Sequence, residues 1–125
     1  LMGAKEGCGH GRCGACSCKV DGEVVATCIL PASSLHGSKV ETIEGLADSL
    51  GGELHPVQKA FLAEDALQCG FCTPGFIMSA TALLESNTDP TEDEIKAALV
   101  GNICRCNAYG RIIESVKAAA KSEAS

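Results

Sequence analysis

The sequence predicts an α+β fold: a small cysteine-laced β unit over residues 1–46, then a helical unit over residues 47–125. Two observations carry the prediction. The hydrophobic period is near two in the first part and about 3.6 beyond a glycine-containing break at 48–53. The stretch Gln68-Cys69-Gly70-Phe71-Cys72-Thr73-Pro74-Gly75 then sets two thiols on a tight loop and starts a helix at once. Thr73 suits the cap and Pro74 the first helical position, so Cys72 sits against a helix N-terminus, where outward-pointing amides favour a thiolate and any anionic centre it holds.

Composition narrows how such a fold is held. With 3% aromatic residues and no Trp, large buried rings cannot carry the core, and small units of this kind need staples. Nine cysteines supply them. Nine is odd, so a full disulfide framework leaves one thiol over, and the close spacings of Cys13, Cys16 and Cys18, and of Cys104 and Cys106, suit metal ligation better. No charged-then-apolar leader is read at the N-terminus, and no apolar run is long enough to span a membrane, so a cytoplasmic location is expected. The net charge of −6 argues against nucleic acid as a partner and reads as ordinary solubility charge.

In the β unit, residues 7–14 (GCGHGRCG) hold four glycines in eight positions, so the backbone bends tightly and brings its amides close to a bound object. Cys8, Cys13, Cys16 and, after eleven residues, Cys28 give C-x4-C-x2-C…C, the plant-type [2Fe-2S] spacing. A zinc knuckle or a redox loop is the competing reading, but zinc sites usually pair their ligands in two separate short units, which this triple fits poorly. His10 lies inside the loop; the four-cysteine set is complete without it, and it is expected to face solvent. Cys18 is surplus, on the same strand face as Cys16, and is read as a small buried apolar side chain. Segments 17–20 and 23–27 flank Asp21-Gly22, a type I′ hairpin signal, so strand pairing brings Cys16 and Cys28 together. A further strand is expected at 39–43.

In the helical unit, Pro56 opens a helix to about residue 66, with Val57, Ala60 and Phe61 on one face. A second starts at Pro74, with Ile77, Ala80, Thr81 and Leu84 in one stripe. Thr91 and Glu94 make a capping box for a third, which ends at Gly101, and a fourth follows Gly110. These stripes are core packing. Four short helices with short loops run up and down, so the loop of Cys69 and Cys72 and the loop of Cys104 and Cys106 emerge at the same end. Four thiolates from two loops close a second ligand set. The Cys-x-x-Cys pair alone reads as a dithiol couple or half a zinc or iron-sulfur site, and for the full set spacing leaves zinc open. Arg105, between two thiolates, either offsets their charge or makes a surface ion pair.

The segments KEGCGHGRCGAC, VDG, ETIEGL, LHPVQKAF, QCGFCTPGFI, NTDPTEDEI and GNICRC, in this order, resemble the iron-sulfur subunit of the molybdenum hydroxylases, the xanthine oxidase, aldehyde oxidoreductase and carbon monoxide dehydrogenase group. The resemblance spans essentially the whole chain. It implies two [2Fe-2S] clusters, on a plant-type ferredoxin-like β-grasp half and a four-helix half. Cys8, Cys13, Cys16 and Cys28 match the ligands of the cluster nearer the flavin, and Cys69, Cys72, Cys104 and Cys106 those of the cluster beside molybdopterin. Gln68 falls where a side chain hydrogen-bonds the pterin, and Cys106 where a ligand also touches it. In the family, a hairpin and a helix precede the point matched by Leu1, so a truncated β-grasp is expected. Asn107-Ala108-Tyr109 stands where Thr-Gly-Tyr is common, which blurs the substrate branch without touching the ligands.

The resemblance implies an electron-transfer subunit of an oxidoreductase that does no bond chemistry itself. Electrons would pass between molybdopterin on a large partner subunit and FAD on a medium partner subunit, within a hetero-oligomer such as a heterotrimer or a dimer of heterotrimers. Two alternatives stand beside it: the same relay run towards molybdenum, as in hydroxybenzoyl-CoA reductase-like enzymes, and a free-standing ferredoxin-type carrier.

Overall fold

Asp21 and Gly22 both take left-handed backbone, φ 51° and 87°, as a type I′ turn requires. A computed structural model describes residues 1–124. The turn joins β1 (Ser17–Val20) to β2 (Glu23–Ala26), with Cys18 opposite Val25 and Ser17 opposite Ala26. β3 (Val40–Glu41) adds antiparallel to the other edge of β1, giving sheet order β2-β1-β3. Cys28 follows in a short 3-10 turn, Thr27–Ile29, whose Thr27 hydroxyl donates to the Cys16 carbonyl at 2.8 Å.

The third strand is shorter than the expected 39–43, because the chain turns into a helix, α1 (Ile43–Asp48), immediately after Thr42. This helix crosses the expected boundary at 46/47, and its Leu46, 2% exposed, belongs to the helical core. The expected break follows, with Gly51 and Gly52 at positive φ.

α2 (Pro56–Ala63) begins with Pro56, as expected, but ends three residues before 66. It closes in a Schellman turn: Ala66 donates to the Phe61 carbonyl and Asp65 to that of Leu62, with Asp65 at φ 52°. Gln68 therefore lies in the following loop. His55 caps the start, its Nδ1 accepting from the Val57 amide at 3.2 Å while Gln58 Oε1 accepts from the His55 amide at 2.8 Å.

α3 (Thr73–Ser86) is the central helix, with Phe76, Met78, Ala80, Thr81 and Leu84 all buried. Its cap position is occupied by Cys72, not Thr73; the Thr73 hydroxyl is buried in the first turn without a partner, and Pro74 follows it. α4 (Glu92–Ala98) carries the Thr91 and Glu94 capping box and stops short of Gly101, at Leu99. α5 (Tyr109–Ala124) lays Ile112, Val116, Ala119 and Ala120 onto the core, and Tyr109 meets Phe76 edge to face at 6.1 Å.

An ion triad ties the sheet to the helices. Lys19, 3% exposed on β1, places Nζ 2.9 Å from Glu41 of β3 and 2.7 Å from Glu85 of α3. Burial works against its charge, and the two carboxylates more than offset this, holding Lys19 above the ordinary lysine value.

Candidate metal centres

Three glycines at positive φ, Gly9, Gly11 and Gly14, curl the first cysteine loop so that its amides face sulfur. Cys8 Sγ accepts from the amides of His10, Arg12 and Cys13 at 3.5, 3.3 and 3.4 Å. Gly11 donates to Cys28 Sγ at 3.3 Å, and Cys28 to Cys16 Sγ at 3.4 Å. Those amides pull the Cys8 thiol down to about 6, while burial raises Cys28 against the help of Gly11. Cys8, Cys13 and Cys16 thus share one amide-rich loop, and Cys28 meets it from the 3-10 turn after β2. His10 is exposed, its Nδ1 2.7 Å from the Cys8 carbonyl. Cys18 is buried and its thiol raised, chiefly by burial, which makes it an inert apolar filler.

The second set sits against the helical core, which Cys104 joins and against which Cys72 and Cys106 pack. Gly70 and Asn107, at φ 80° and 59°, turn the two loops. Burial, then the neighbouring Cys104, pushes Cys72 up to about 12. Burial opposes ionisation of Cys104 too, but the Ala108 amide, 3.4 Å from its sulfur, the Cys72 thiol and further amides outweigh it, so Cys104 is lowered. Of the two, Cys72 holds its proton the more tightly. The Cys104 amide itself donates to Tyr109 Oη at 2.8 Å, and Gln68 Nε2 to the Cys106 carbonyl at 2.8 Å. Cys69 is exposed.

Both sets line one cavity of about 370 Å³, with Cys8 and Cys13 from the first set, Cys69, Cys72 and Cys104 from the second, and Phe71 and Arg105 among its walls. The loops are also tied directly. The Ile103 amide donates to the Cys13 carbonyl at 2.9 Å, one residue before Cys104. Buried Asn102 donates to the Gly14 carbonyl at 3.2 Å and accepts from the Ser79 hydroxyl at 2.7 Å. The sequence reading missed Asn102, Ser79 and Tyr109; the one available signal was Gly75, a glycine inside a helix, which marks a close approach.

A two-iron cluster fits these donors. It spreads four thiolates over two irons and carries negative charge that amide donors stabilise. Among the described residues no three His, Cys, Asp or Glu side chains converge as a group for a single metal ion. Within each set the sulfurs are close enough to feel one another, Cys28 with Cys16 and Cys8, and Cys72 with Cys104 and Cys69.

Amide-lined thiolate loops on a small α+β scaffold define the class: a cysteine-ligated iron-sulfur protein. Comparison with known proteins gives the family. Residues 42–117 match the family described as [2Fe-2S] binding domain. The chain is 51% identical over 116 residues to the nicotine 6-hydroxylase small subunit of Paenarthrobacter nicotinovorans, covering 93% of this chain and 68% of that protein. It is 44% identical to the nicotinate dehydrogenase small FeS subunit of Eubacterium barkeri, covering 94% and 73%. The solved structure of quinoline 2-oxidoreductase from Pseudomonas putida 86 superposes with a TM-score of 0.91 at 39% identity, covering 98% of this chain and 75% of that one. The chain belongs to the iron-sulfur small subunits of the molybdenum hydroxylase family, and its role there is electron transfer within a multi-subunit oxidoreductase.

Proposed function

We propose that the chain holds two [2Fe-2S] clusters, on Cys8, Cys13, Cys16 and Cys28 and on Cys69, Cys72, Cys104 and Cys106, and links molybdopterin on a large partner subunit to FAD on a medium one. The single observation that carries this reading is the bond from the Ile103 amide to the Cys13 carbonyl, which joins the two ligand loops one residue from Cys104. When bound, each cluster supplies a one-electron carrier whose potential follows amide hydrogen bonding, burial and nearby charge. The chain's residues set those quantities: the amides of residues 10–13 for the first centre, the partly buried Cys72, the buried Cys104 and the Ala108 amide for the second.

The layout we propose is a ferredoxin-like β-grasp unit and a four-helix unit, α2 to α5, with α1 at their junction. Exposed Cys69 and Gln68, with half-exposed Phe71 and Ile103, favour docking of the second centre against the molybdopterin subunit. There Gln68 and Cys106 would meet the pterin. Two relatives are named for hydroxylation and dehydrogenation, which favours electron flow from molybdenum outward to FAD. A hetero-oligomer in the cytoplasm completes the proposal: eight thiolates suit a reducing compartment, and among the described residues no helix is long and apolar enough to cross a membrane.

Iron analysis and EPR of the dithionite-reduced complex test it. Two distinct two-iron signals are expected, with Cys13→Ser removing one and Cys104→Ser the other. Iron for a single centre, or both signals surviving in both variants, overturns it.

A further inference from the structure

We infer that Asn102 is a positioning residue that fixes the two cysteine loops, and so the two centres, relative to one another. The inference rests on the two-cluster reading above. Asn102 is 7% exposed and uses both ends of its amide on different elements. Nδ2 donates to the carbonyl of Gly14, between Cys13 and Cys16, and Oδ1 accepts from Ser79 on α3, the helix that starts beside Cys72. Its own backbone leads through Ile103 into Cys104. One side chain therefore bridges the stretch between Cys13 and Cys16, the helix that follows Cys72, and the turn that leads into Cys104.

The surroundings are shaped for this contact. A methyl group on Gly14 would stand 2.4 Å from Asn102 Nδ2 and 2.4 Å from the Gly101 carbonyl, and one on Gly75 would stand 2.2 Å from the Gly14 carbonyl. Removing the Asn102 amide takes the acceptor from the Ser79 hydroxyl and one of three donors from the Gly14 carbonyl, which keeps the Ser17 amide at 3.1 Å and the Ser17 hydroxyl at 2.7 Å. Beside Asn102, the bond from Ile103 to Cys13, the packing of Gly75 on Gly14 and the Lys19–Glu85 ion pair tie these segments, and Asn102 adds the polar contact that joins the Gly14 backbone to α3. Electron exchange and magnetic coupling between two carriers both weaken steeply as their separation and orientation relax.

The test uses the complete complex, co-produced with its partner subunits, carrying Asn102→Ala or Ser79→Ala. Iron content and the two EPR signals report the two-cluster reading. The magnetic splitting between the reduced centres, their midpoint potentials and the rate of internal electron equilibration after flash reduction report the inference. Asn102→Ala is expected to keep both signals and both potentials, weaken the splitting and slow equilibration severalfold; Ser79→Ala should shift the same way by less. Unchanged splitting and rate with both signals present overturn the inference. Where Asn102→Ala does not assemble, Ser79→Ala decides by the same criteria. A wild-type complex with one two-iron signal removes the two-cluster reading itself, a result distinct from either.

Discussion

Gly75 packs so tightly on Gly14 that a side chain at 75 would put its first carbon 2.2 Å from the Gly14 carbonyl oxygen. The contact involves backbone on both sides, so it cannot be relieved by a rotamer change. Gly75→Ala is expected to cost about 2 kcal/mol or more through overpacking. Denaturant unfolding of the isolated subunit should show a lower midpoint, with iron content falling in parallel. Wild-type stability would refute the contact.

The Lys19 triad predicts an asymmetry. Glu41 and Glu85 keep 26% and 52% of their side-chain exposure, whereas Lys19 keeps 4%. Lys19→Met leaves two carboxylates that water can reach, and should cost about 1 kcal/mol or less. The pair Glu41→Gln and Glu85→Gln leaves an ammonium buried alone and should cost about 3–5 kcal/mol. Because Lys19 is raised in the folded state, its contribution is complete below the ordinary lysine value and is lost as pH climbs through the higher folded value. Unfolding followed against pH checks both.

His55 caps α2 through a neutral Nδ1, and burial lowers its titration below the ordinary 6.5, against the pull of Glu123. A lowered value means this stabilisation is present above pH 6.5 and disappears as pH falls through the folded value. His55→Ala should cost about 1 kcal/mol at pH 7.5 and flatten the acid-side stability profile. A profile that keeps its wild-type slope would assign the pH dependence elsewhere.

Thiol reactivity should divide the cysteines once iron is stripped. Three amides hold Cys8 at about 6, so it is largely thiolate at neutral pH, whereas burial keeps Cys72 near 12. Iodoacetamide at pH 7, read by peptide mass spectrometry, should modify Cys8 first and Cys72 last, with Cys8 labelling falling off below about pH 6. The reverse order would contradict the amide geometry.

The ligand sulfurs were legible because their information is local: spacing, glycines between them, and the helix start after Cys72. The hairpin at Asp21-Gly22 and the cap at Thr91 are equally local, and both appear as expected. α1 has no counterpart in the sequence reading, whose strand at 39–43 overlaps only its first residue, because it is six residues long, contains Gly45, and has no side-chain cap at Thr42. The His55 cap was invisible because histidine is outside the usual capping set. Asn102 reads as an ordinary loop residue, and its partner Gly14 lies 88 positions away. Long-range polar ties of this kind leave no periodic trace in a sequence.

Ile103 faces two ways. Its amide is spent on the Cys13 carbonyl, while the residue as a whole stays 46% exposed. A subunit docked there, as proposed above, would push on the same short length of peptide that bridges the two sulfur-bearing loops. In that arrangement assembly and wiring would be mechanically adjacent, separated by a single α-carbon, and a neighbour would reach the link without touching any thiol.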